Sequence, residues 1–267
     1  MARANRHHIP GQIWHITHRC HKREFLLKFS KDRRRWQQWL FEARKRYKLQ
    51  VLDYAVTSNH IHLLVVDSNK DVIPDSLQLI AGRTAQEFNK RKQRKGAFWD
   101  DRYHATAIET GDHLLRCIAY IDLNMVRNGV VTHPSLWEHG GYNEIQHPTK
   151  RYSILDRERL IALSGCNSDE QFRTIHRQLV EETIQSEKLD RQRQWSESVA
   201  VGGQGFIEGI KNQLNRGSFG RKTLKCDDSF ILRETSAAYN GHLPTEKGLL
   251  SSKNSYYLTI NDLKSSR

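Results

Sequence analysis

Hydrophobic and polar residues alternate along roughly the first 145 positions in a pattern that predicts strands and helices in turn. Short apolar runs rich in β-branched side chains predict four strands, at 12–20, 50–57, 60–66 and 103–108. Apolar residues three and four positions apart predict three amphipathic helices, at 31–48, 72–92 and 112–127. The order β-α-β-β-α-β-α predicts an α+β fold, a ferredoxin-like antiparallel sheet with two helices on one face. Strand 60–66 is expected to be central, with the last helix across its other face.

The pattern changes after about residue 146. Helices are predicted at 153–163, where Ser153 to Asp156 is a candidate capping box, and at 168–193. The glycines of 202–205 lack the Lys-Ser/Thr of a phosphate loop, so they indicate a turn before another helix. After about residue 216 no clear periodicity follows until Tyr256. We therefore predict a domain at 1–145, a C-terminal helical extension at 146–216 and a tail at 217–267 that is partly disordered.

Charge narrows the class of partner. The net charge is +13, and residues 1–50 hold 14 Lys and Arg against 3 Asp and Glu. A concentrated basic surface suits a polyanion. A membrane surface is the competing partner, but no stretch approaches the ~20 apolar residues of a membrane span. The N-terminus has no signal-peptide core and the four cysteines are far apart, which indicates a cytoplasmic protein without a disulfide framework or zinc ribbon.

The strand at 60–66 carries two histidines on one face. Side chains alternate along a strand, so His60 and His62 point the same way, about 7 Å apart. Leu64 and Val66 continue that face, which indicates that another element covers it and that the histidines lie in a cleft. Two imidazoles on one rigid strand can share a metal ion. Two exposed histidines on a half-buried strand are the alternative, and His15 is expected to border the cleft as a structural residue.

The helix at 112–127 carries a tyrosine outside its main apolar stripe. At about 100° per residue, one narrow stripe holds His113, Arg116, Tyr120, Asn124 and Arg127. A separate apolar stripe holds Leu114, Ile118, Ile121 and Met125. One interpretation is a surface tyrosine on a basic helix. The other is a tyrosine nucleophile, with Asn124 one turn away as a third metal ligand beside the two histidines.

Several of these segments resemble one family. The segment His60-Ile61-His62 resembles the HUH motif of single-strand DNA nucleases, and residues 120–131 resemble the helix of single-tyrosine transposases, in particular the REP-associated tyrosine transposases. The resemblance covers about 1–145 and includes Pro10-Gly11, His15, Phe98-Trp99 and Arg102-Tyr103. Met125 departs from the family, which usually has proline there.

The resemblance implies the HUH nuclease fold and a metal-dependent single-stranded DNA endonuclease and strand transferase. Such an enzyme cleaves and rejoins DNA near REP-like hairpins through a 5′-phosphotyrosine, here on Tyr120. The metal ligands would be His60, His62 and Asn124, and mixed nitrogen and oxygen ligands suit Mg²⁺ or Mn²⁺. We expect a monomer or homodimer whose partner is single-stranded or hairpin DNA. The alternatives are a catalytically silent DNA- or RNA-binding regulator on the same fold, and a nuclease that uses water.

Basic residues along the chain are candidates for holding the DNA backbone. A basic arm at 2–8, helix 31–48 and loop 90–95 are expected to track phosphates. Phe98 and Trp99 follow that loop, either to stack unpaired bases or to anchor the core. The candidate nucleic-acid-binding residues are Arg3, Arg6, Arg19, Arg34, Lys92, Arg94, Arg102, Arg116 and Arg127.

Overall fold

The computed structural model describes residues 9–100, 102–149, 151–186, 189–214, 220–226 and 228–234. They fall in one compact unit, which ends at Thr235. The predicted basic arm at 2–8, with Arg3 and Arg6, lies outside the described residues, as does the predicted tail beyond residue 234. Within the described ranges, no helix is long and apolar enough to cross a membrane.

One seven-stranded sheet runs through the described part of the chain, in the order β2-β3-β1-β4-β5-β7-β6. The strands are β1 (Ile13–Arg19), β2 (Gln50–Val56), β3 (His60–Val66), β4 (His104–Ile108), β5 (Ala200–Gly202), β6 (Arg221–Cys226) and β7 (Ser229–Glu234). The first four strands pair antiparallel, with β3 between β2 and β1. This is the ferredoxin-like order, so the predicted α+β fold is confirmed.

Helices cover both faces of the sheet. They are α1 (Ser30–Tyr47), α2 (Val72–Lys92), α3 (Asp112–Asp122), α4 (Asn124–Arg127), α5 (Tyr142–Gln146), α6 (Arg157–Ser164), α7 (Asp169–Gln185), α8 (Gln194–Glu197) and α9 (Gln204–Gln213). On one face α1 brings the Trp36 ring within 6.4 Å of the Tyr54 ring. Tyr54 is opposite Leu63 in the register, so its side chain shares the face that His62 does not. The tyrosine helix α3 packs on the histidine face.

The tyrosine helix is interrupted where the sequence predicts one continuous helix over 112–127. It ends at Asp122, and α4 begins at Asn124 after Leu123, whose φ and ψ are −74° and 1°. The Arg127 guanidinium donates a 2.6 Å hydrogen bond back to the Tyr120 carbonyl across this interruption. Asn124 still follows the tyrosine closely, at the start of the short second segment.

The region after 146 is not only helical, which corrects the predicted extension and tail. Strand β5, where a turn is predicted, pairs parallel with β4, and β6 and β7 form a hairpin within the predicted tail. A three-residue strand is too short to show a period in the sequence. Helix α6 begins at Arg157 rather than at Ser153, because Asp156 caps it by accepting from the Arg159 backbone N–H at 3.2 Å.

Candidate active site at the histidine strand

Three of the predicted metal ligands converge on the histidine face of β3. The Nε2 atoms of His60 and His62 lie 3.1 Å apart. The side-chain amide of Asn124, from α4, lies 3.0 Å from the His62 Nε2. His62 is 3 % exposed, so the cleft predicted from the apolar residues along this strand is present. The structure brings these side chains together, while their role as ligands stays a prediction.

A chain of hydrogen bonds fixes the tautomer of His62. The Nδ1 of His15 lies 2.6 Å from the Trp195 carbonyl, which only accepts hydrogen bonds, so this Nδ1 carries the proton. The Nε2 of His15 then accepts from the His62 Nδ1 at 2.9 Å. His62 therefore presents the lone pair of its Nε2 toward His60 and Asn124. His15 does more than border the cleft, because it connects the C-terminal region to the histidine strand.

The tautomer of His60 is fixed by its own neighbours. Its Nδ1 lies 2.7 Å from the Asn59 Oδ1 and 2.9 Å from the Thr57 hydroxyl. The Asn59 amide nitrogen donates to the Arg23 carbonyl, which orients the amide with its oxygen toward His60. The Nδ1 of His60 therefore donates and its Nε2 keeps a lone pair. Two lone pairs facing each other at 3.1 Å repel unless a cation lies between them.

The three histidines are uncharged at neutral pH. Burial lowers the pKa of His15 to about 4. Burial and the nearby Arg19 guanidinium lower the pKa of His60 to about 3. Burial, with the neighbouring His60, lowers the pKa of His62 well below its usual value. Neutral imidazole is the form that binds a metal ion.

The donor set fits a divalent cation that accepts nitrogen and oxygen ligands. No group of three or more His, Cys, Asp or Glu side chains that could hold a metal ion occurs among the described residues. A third protein ligand beside His60 and His62 is therefore the carboxamide of Asn124. Its oxygen accepts from the Asn128 amide at 3.2 Å, so a half-turn of the Asn124 amide presents that oxygen to the histidines. Two imidazoles and one amide oxygen suit Mn²⁺ or Mg²⁺.

Tyr120 lies directly beside the histidines. Its ring centroid is 6.0 Å from that of His62 and 6.3 Å from that of His15. The Arg127 guanidinium stacks over the ring, 4.0 Å from its centroid. The sequence places this tyrosine off the core face of its helix, but it is only 6 % exposed. The difference arises because Trp195, from α8, packs 6.3 Å from the same ring.

A small cavity opens beside Tyr120. Its volume is about 160 Å³. The predicted cations Arg116 and Arg127 line it together with Gln192, Gln194 and Trp195 from the C-terminal region. Sequence reasoning missed these C-terminal residues, because they come from a segment without a readable motif. The cavity therefore combines cations from the tyrosine helix with polar side chains from the extension.

Buried polar contacts anchor the end of the tyrosine helix. Asp122 accepts from the His176 Nε2 at 2.9 Å, and the other ring nitrogen of His176 lies 2.9 Å from the Gln146 amide. Burial raises the pKa of Asp122, although the hydrogen bond from His176 opposes that effect. These contacts join α3 to α7 and α5. The helical extension therefore helps to hold Tyr120 and Asn124 in place.

The predicted nucleic-acid-binding cations divide into two groups. Arg19 is opposite His60 in the β1–β3 register, so it lies at the site together with Arg116 and Arg127. Arg34 is exposed on α1, on the other face of the sheet. The remaining described candidates are Lys92 and Arg94 at the end of α2 and Arg102, which is exposed before β4.

Arg94 is engaged within its own loop. Its guanidinium donates to the Ala97 carbonyl at 2.8 Å and pairs with Glu24 at 3.3 Å. Phe98 and Trp99 follow it. Phe98 is 2 % exposed, which rules out the base-stacking interpretation for this ring. Trp99 stacks on His18 at 4.4 Å and donates to the Ala81 carbonyl. The core interpretation of these aromatics is therefore the correct one.

Replacing Trp195 with alanine is expected to destabilise the fold by about 3–5 kcal/mol, the usual cost of removing a fully buried large aromatic side chain. The tryptophan is 1 % exposed and contacts Tyr120. Urea unfolding followed by circular dichroism measures the change. The partly buried Trp39, on α1, is the control, and its alanine variant should lose less. Equal losses would mean that the extension adds little to this core.

Comparison with known proteins places residues 9–124 within the family model described as "Transposase IS200 like". No curated protein matches the chain. Two solved structures are similar. A REP-associated tyrosine transposase bound to a REP hairpin shares 19 % identity, with a TM-score of 0.47, 58 % of this chain covered and 90 % of that one. A putative transposase from Deinococcus radiodurans R1 shares 16 % identity, with a TM-score of 0.32, 40 % of this chain covered and 87 % of that one.

Proposed function

Residues 9–124 belong to the IS200-like transposase family, and from this premise we propose that the chain cleaves and rejoins single-stranded DNA through Tyr120 in a metal-dependent reaction. One observation carries the proposal. The Tyr120 ring lies 6.0 Å from His62, whose Nε2 faces that of His60 at 3.1 Å. A buried tyrosine beside two neutral imidazoles with converging lone pairs supplies a nucleophile and a cation site together. A protein that only binds DNA has no use for this arrangement.

The covalent step exchanges one phosphodiester for another. The Tyr120 oxygen attacks the scissile phosphorus, and the bond from phosphorus to the 3′ oxygen breaks. The phenol proton is released and the leaving 3′ oxygen takes up one, so no net proton is consumed. The products are a 5′-phosphotyrosine on Tyr120 and a free 3′-OH. Attack by a 3′-OH on this linkage rejoins the DNA without an external energy source.

The site residues have distinct roles in this step. His60, His62 and Asn124 would hold Mg²⁺ or Mn²⁺, which supplies Lewis-acid polarisation of the scissile phosphate when bound. Arg127, stacked 4.0 Å over the Tyr120 ring, is placed to stabilise the negative charge that develops nearby. Arg116, exposed at the adjoining cavity, is placed to bind a flanking phosphate.

The proposed substrate is single-stranded DNA that carries an imperfect hairpin. The similarity of residues 60–62 and 120–131 to the REP-associated tyrosine transposases supports this choice, and so does the net charge of +13. Phosphate contacts are expected to supply most of the affinity, so binding should weaken as salt rises.

Incubation of the full chain with end-labelled hairpin DNA and Mn²⁺, followed by a denaturing gel, tests the function. We expect a labelled band that migrates with the protein and disappears after protease treatment. The same oligonucleotide annealed into a blunt duplex should give no such band. Absence of any adduct with Mn²⁺ or Mg²⁺ would favour a DNA- or RNA-binding regulator instead.

His15 is expected to act as a positioning residue for the cation site. Replacing it with phenylalanine removes the acceptor that holds the His62 Nδ1–H, and loss of such a supporting contact typically weakens metal binding ~10–100-fold. Glutamine at this position can still accept that hydrogen bond, so it should restore part of the affinity. Calorimetric titration with Mn²⁺ alone measures both.

The control for this measurement is His113→Phe. His113 lies on α3 and pairs with Glu109 at 3.2 Å, so this variant should bind Mn²⁺ as the wild type does. Wild-type Mn²⁺ affinity in His15→Phe would show that His62 does not depend on its neighbour.

A further inference from the structure

Two phenylalanines protrude from the loop between β1 and α1. Phe25 is 65 % exposed and Phe29 is 56 % exposed, whereas Leu27 between them is fully buried. The Leu27 backbone N–H donates to the Ser58 carbonyl at 2.9 Å. The loop is therefore held by a buried anchor, and its two rings face solvent from an ordered backbone. Large apolar side chains grouped at a surface often mark a binding site.

The same loop has an unusual backbone. Lys22 and Arg23 both lie in the left-handed region, with φ of 52° and 60°. This conformation is costly for residues other than glycine. The His21 N–H donates to the Phe98 carbonyl at 2.9 Å and the Arg23 N–H to the Cys20 carbonyl at 3.0 Å. Strain retained in this way frequently accompanies function.

Cations surround the two rings. The Lys92 Nζ, at the end of α2, lies 5.5 Å from the centroid of the Phe29 ring. Lys22, Arg23 and Lys28 are exposed on the loop itself. The acidic residue of the loop, Glu24, pairs with Arg94. The exposed surface is therefore aromatic and positively charged, which is unlike a typical apolar protein interface and like a surface for a polyanion with stacking groups.

The loop is connected to the candidate active site. The Asn59 amide nitrogen donates to the Arg23 carbonyl at 3.3 Å, and the Asn59 Oδ1 contacts the His60 Nδ1 at 2.7 Å. The Cys20 N–H also donates to the Asn59 carbonyl. One asparagine thus contacts both the loop and a proposed metal ligand. DNA bound at the histidines continues onto this loop with little distance to cross.

We propose that Phe25 and Phe29 form a stacking platform for unpaired nucleotides that flank the cleavage position. The inference rests on the proposed function and names a part of its substrate: single-stranded, base-exposed DNA next to the scissile phosphate. Each ring takes the face of one base, and Lys28 and Lys92 hold the phosphates between them. Every base has a π-face, so the platform selects unpaired over paired DNA rather than one sequence.

Leucine substitution at both positions separates stacking from charge and from bulk. The probe is fluorescein-labelled (dT)20, read by anisotropy, with a blunt duplex of the same length as comparison. The double variant Phe25→Leu/Phe29→Leu should bind (dT)20 about 10-fold more weakly or worse, with unchanged duplex affinity. The slope of log affinity against log salt should not change, because no cation is removed. Phe25→Trp/Phe29→Trp should restore binding.

The matched control is Tyr152→Leu, which removes an aromatic side chain that is 82 % exposed elsewhere on the surface; it should bind (dT)20 normally. Unchanged (dT)20 binding in the double leucine variant would overturn the platform. So would an equal loss for single strand and duplex, or a Phe-dependent self-association of the chain without any effect on DNA.

The platform and the proposed function can fail separately. Weakened (dT)20 binding in a protein that never forms a DNA adduct would keep the platform and remove the nuclease. A normal adduct with unchanged (dT)20 binding would do the reverse.

Discussion

Tyr120→Phe is expected to lose DNA cleavage and the covalent adduct, by on the order of 10⁴-fold or more, while binding hairpin DNA like the wild type. The substitution removes one oxygen. The ring contacts with His62, Arg127 and Trp195 do not involve that oxygen, so the packing is retained. A lost activity therefore reports chemistry rather than folding. Gel assays of adduct and product, beside anisotropy with the same oligonucleotide, measure the two properties.

Tyr54→Phe is the matched control for that experiment. Tyr54 is 4 % exposed, so it is as buried as Tyr120, but it lies on the other face of the sheet, where its hydroxyl accepts from Gln37. This variant should form the adduct at the wild-type level. Peptide mapping of the wild-type adduct should place the nucleotide on Tyr120. Near-normal cleavage by Tyr120→Phe would identify water as the nucleophile and remove the strand-transfer mechanism.

The strands and helices around the site could be predicted because their signals are local. The alternation of His60, Ile61, His62 and Leu63 sets which side chains share a face, and β3 begins and ends where that pattern does. The turn residues before His60 likewise fix its pairing with β2. Helical spacing brought Tyr120 and Asn124 to one stripe, and the structure places both near His62.

Contacts between distant parts of the chain could not be predicted. The burial of Tyr120 depends on Trp195, and the tautomer of His62 depends on the carbonyl of that same tryptophan through His15. No spacing rule links a tryptophan in a short helix to a strand near the N-terminus. Exposure is equally hard to read from a sequence. Phe98 and Trp99 follow a basic loop and pack inward, whereas Phe25 and Phe29 point outward because Leu27 is the buried anchor of their loop.

These long-range contacts bear on how the site is built. The family match ends at residue 124, yet His15 and Tyr120 both contact residue 195, and Asp122 contacts His176. The C-terminal region therefore completes a site whose proposed chemical groups come from the matched segment. Effects of substitutions in that region on DNA cleavage need to be separated from effects on stability, as the unfolding measurement on Trp195→Ala allows.

His60→Ala is expected to abolish metal-dependent cleavage with little effect on DNA affinity. The imidazole supplies one of two Nε2 lone pairs that face each other, so its loss leaves a single nitrogen donor, and Mn²⁺ binding should fall by at least ~10-fold. DNA affinity should persist because phosphate contacts with Lys and Arg supply most of it. Mn²⁺ calorimetry, anisotropy and the cleavage gel measure the three quantities on one preparation.

His60 is a cleaner position for this test than His62. Removing His62 also leaves the His15 Nε2 and the Asn124 amide without their partner, and each buried unpaired polar group costs about 1–3 kcal/mol. His62→Ala should therefore lose both cleavage and stability, whereas His60→Ala should lose cleavage alone. His113→Ala, on α3, should lose neither. Cleavage by His60→Ala at the wild-type rate in limiting Mn²⁺ would show that the paired histidines do not hold the ion, and Tyr120 would then act without them.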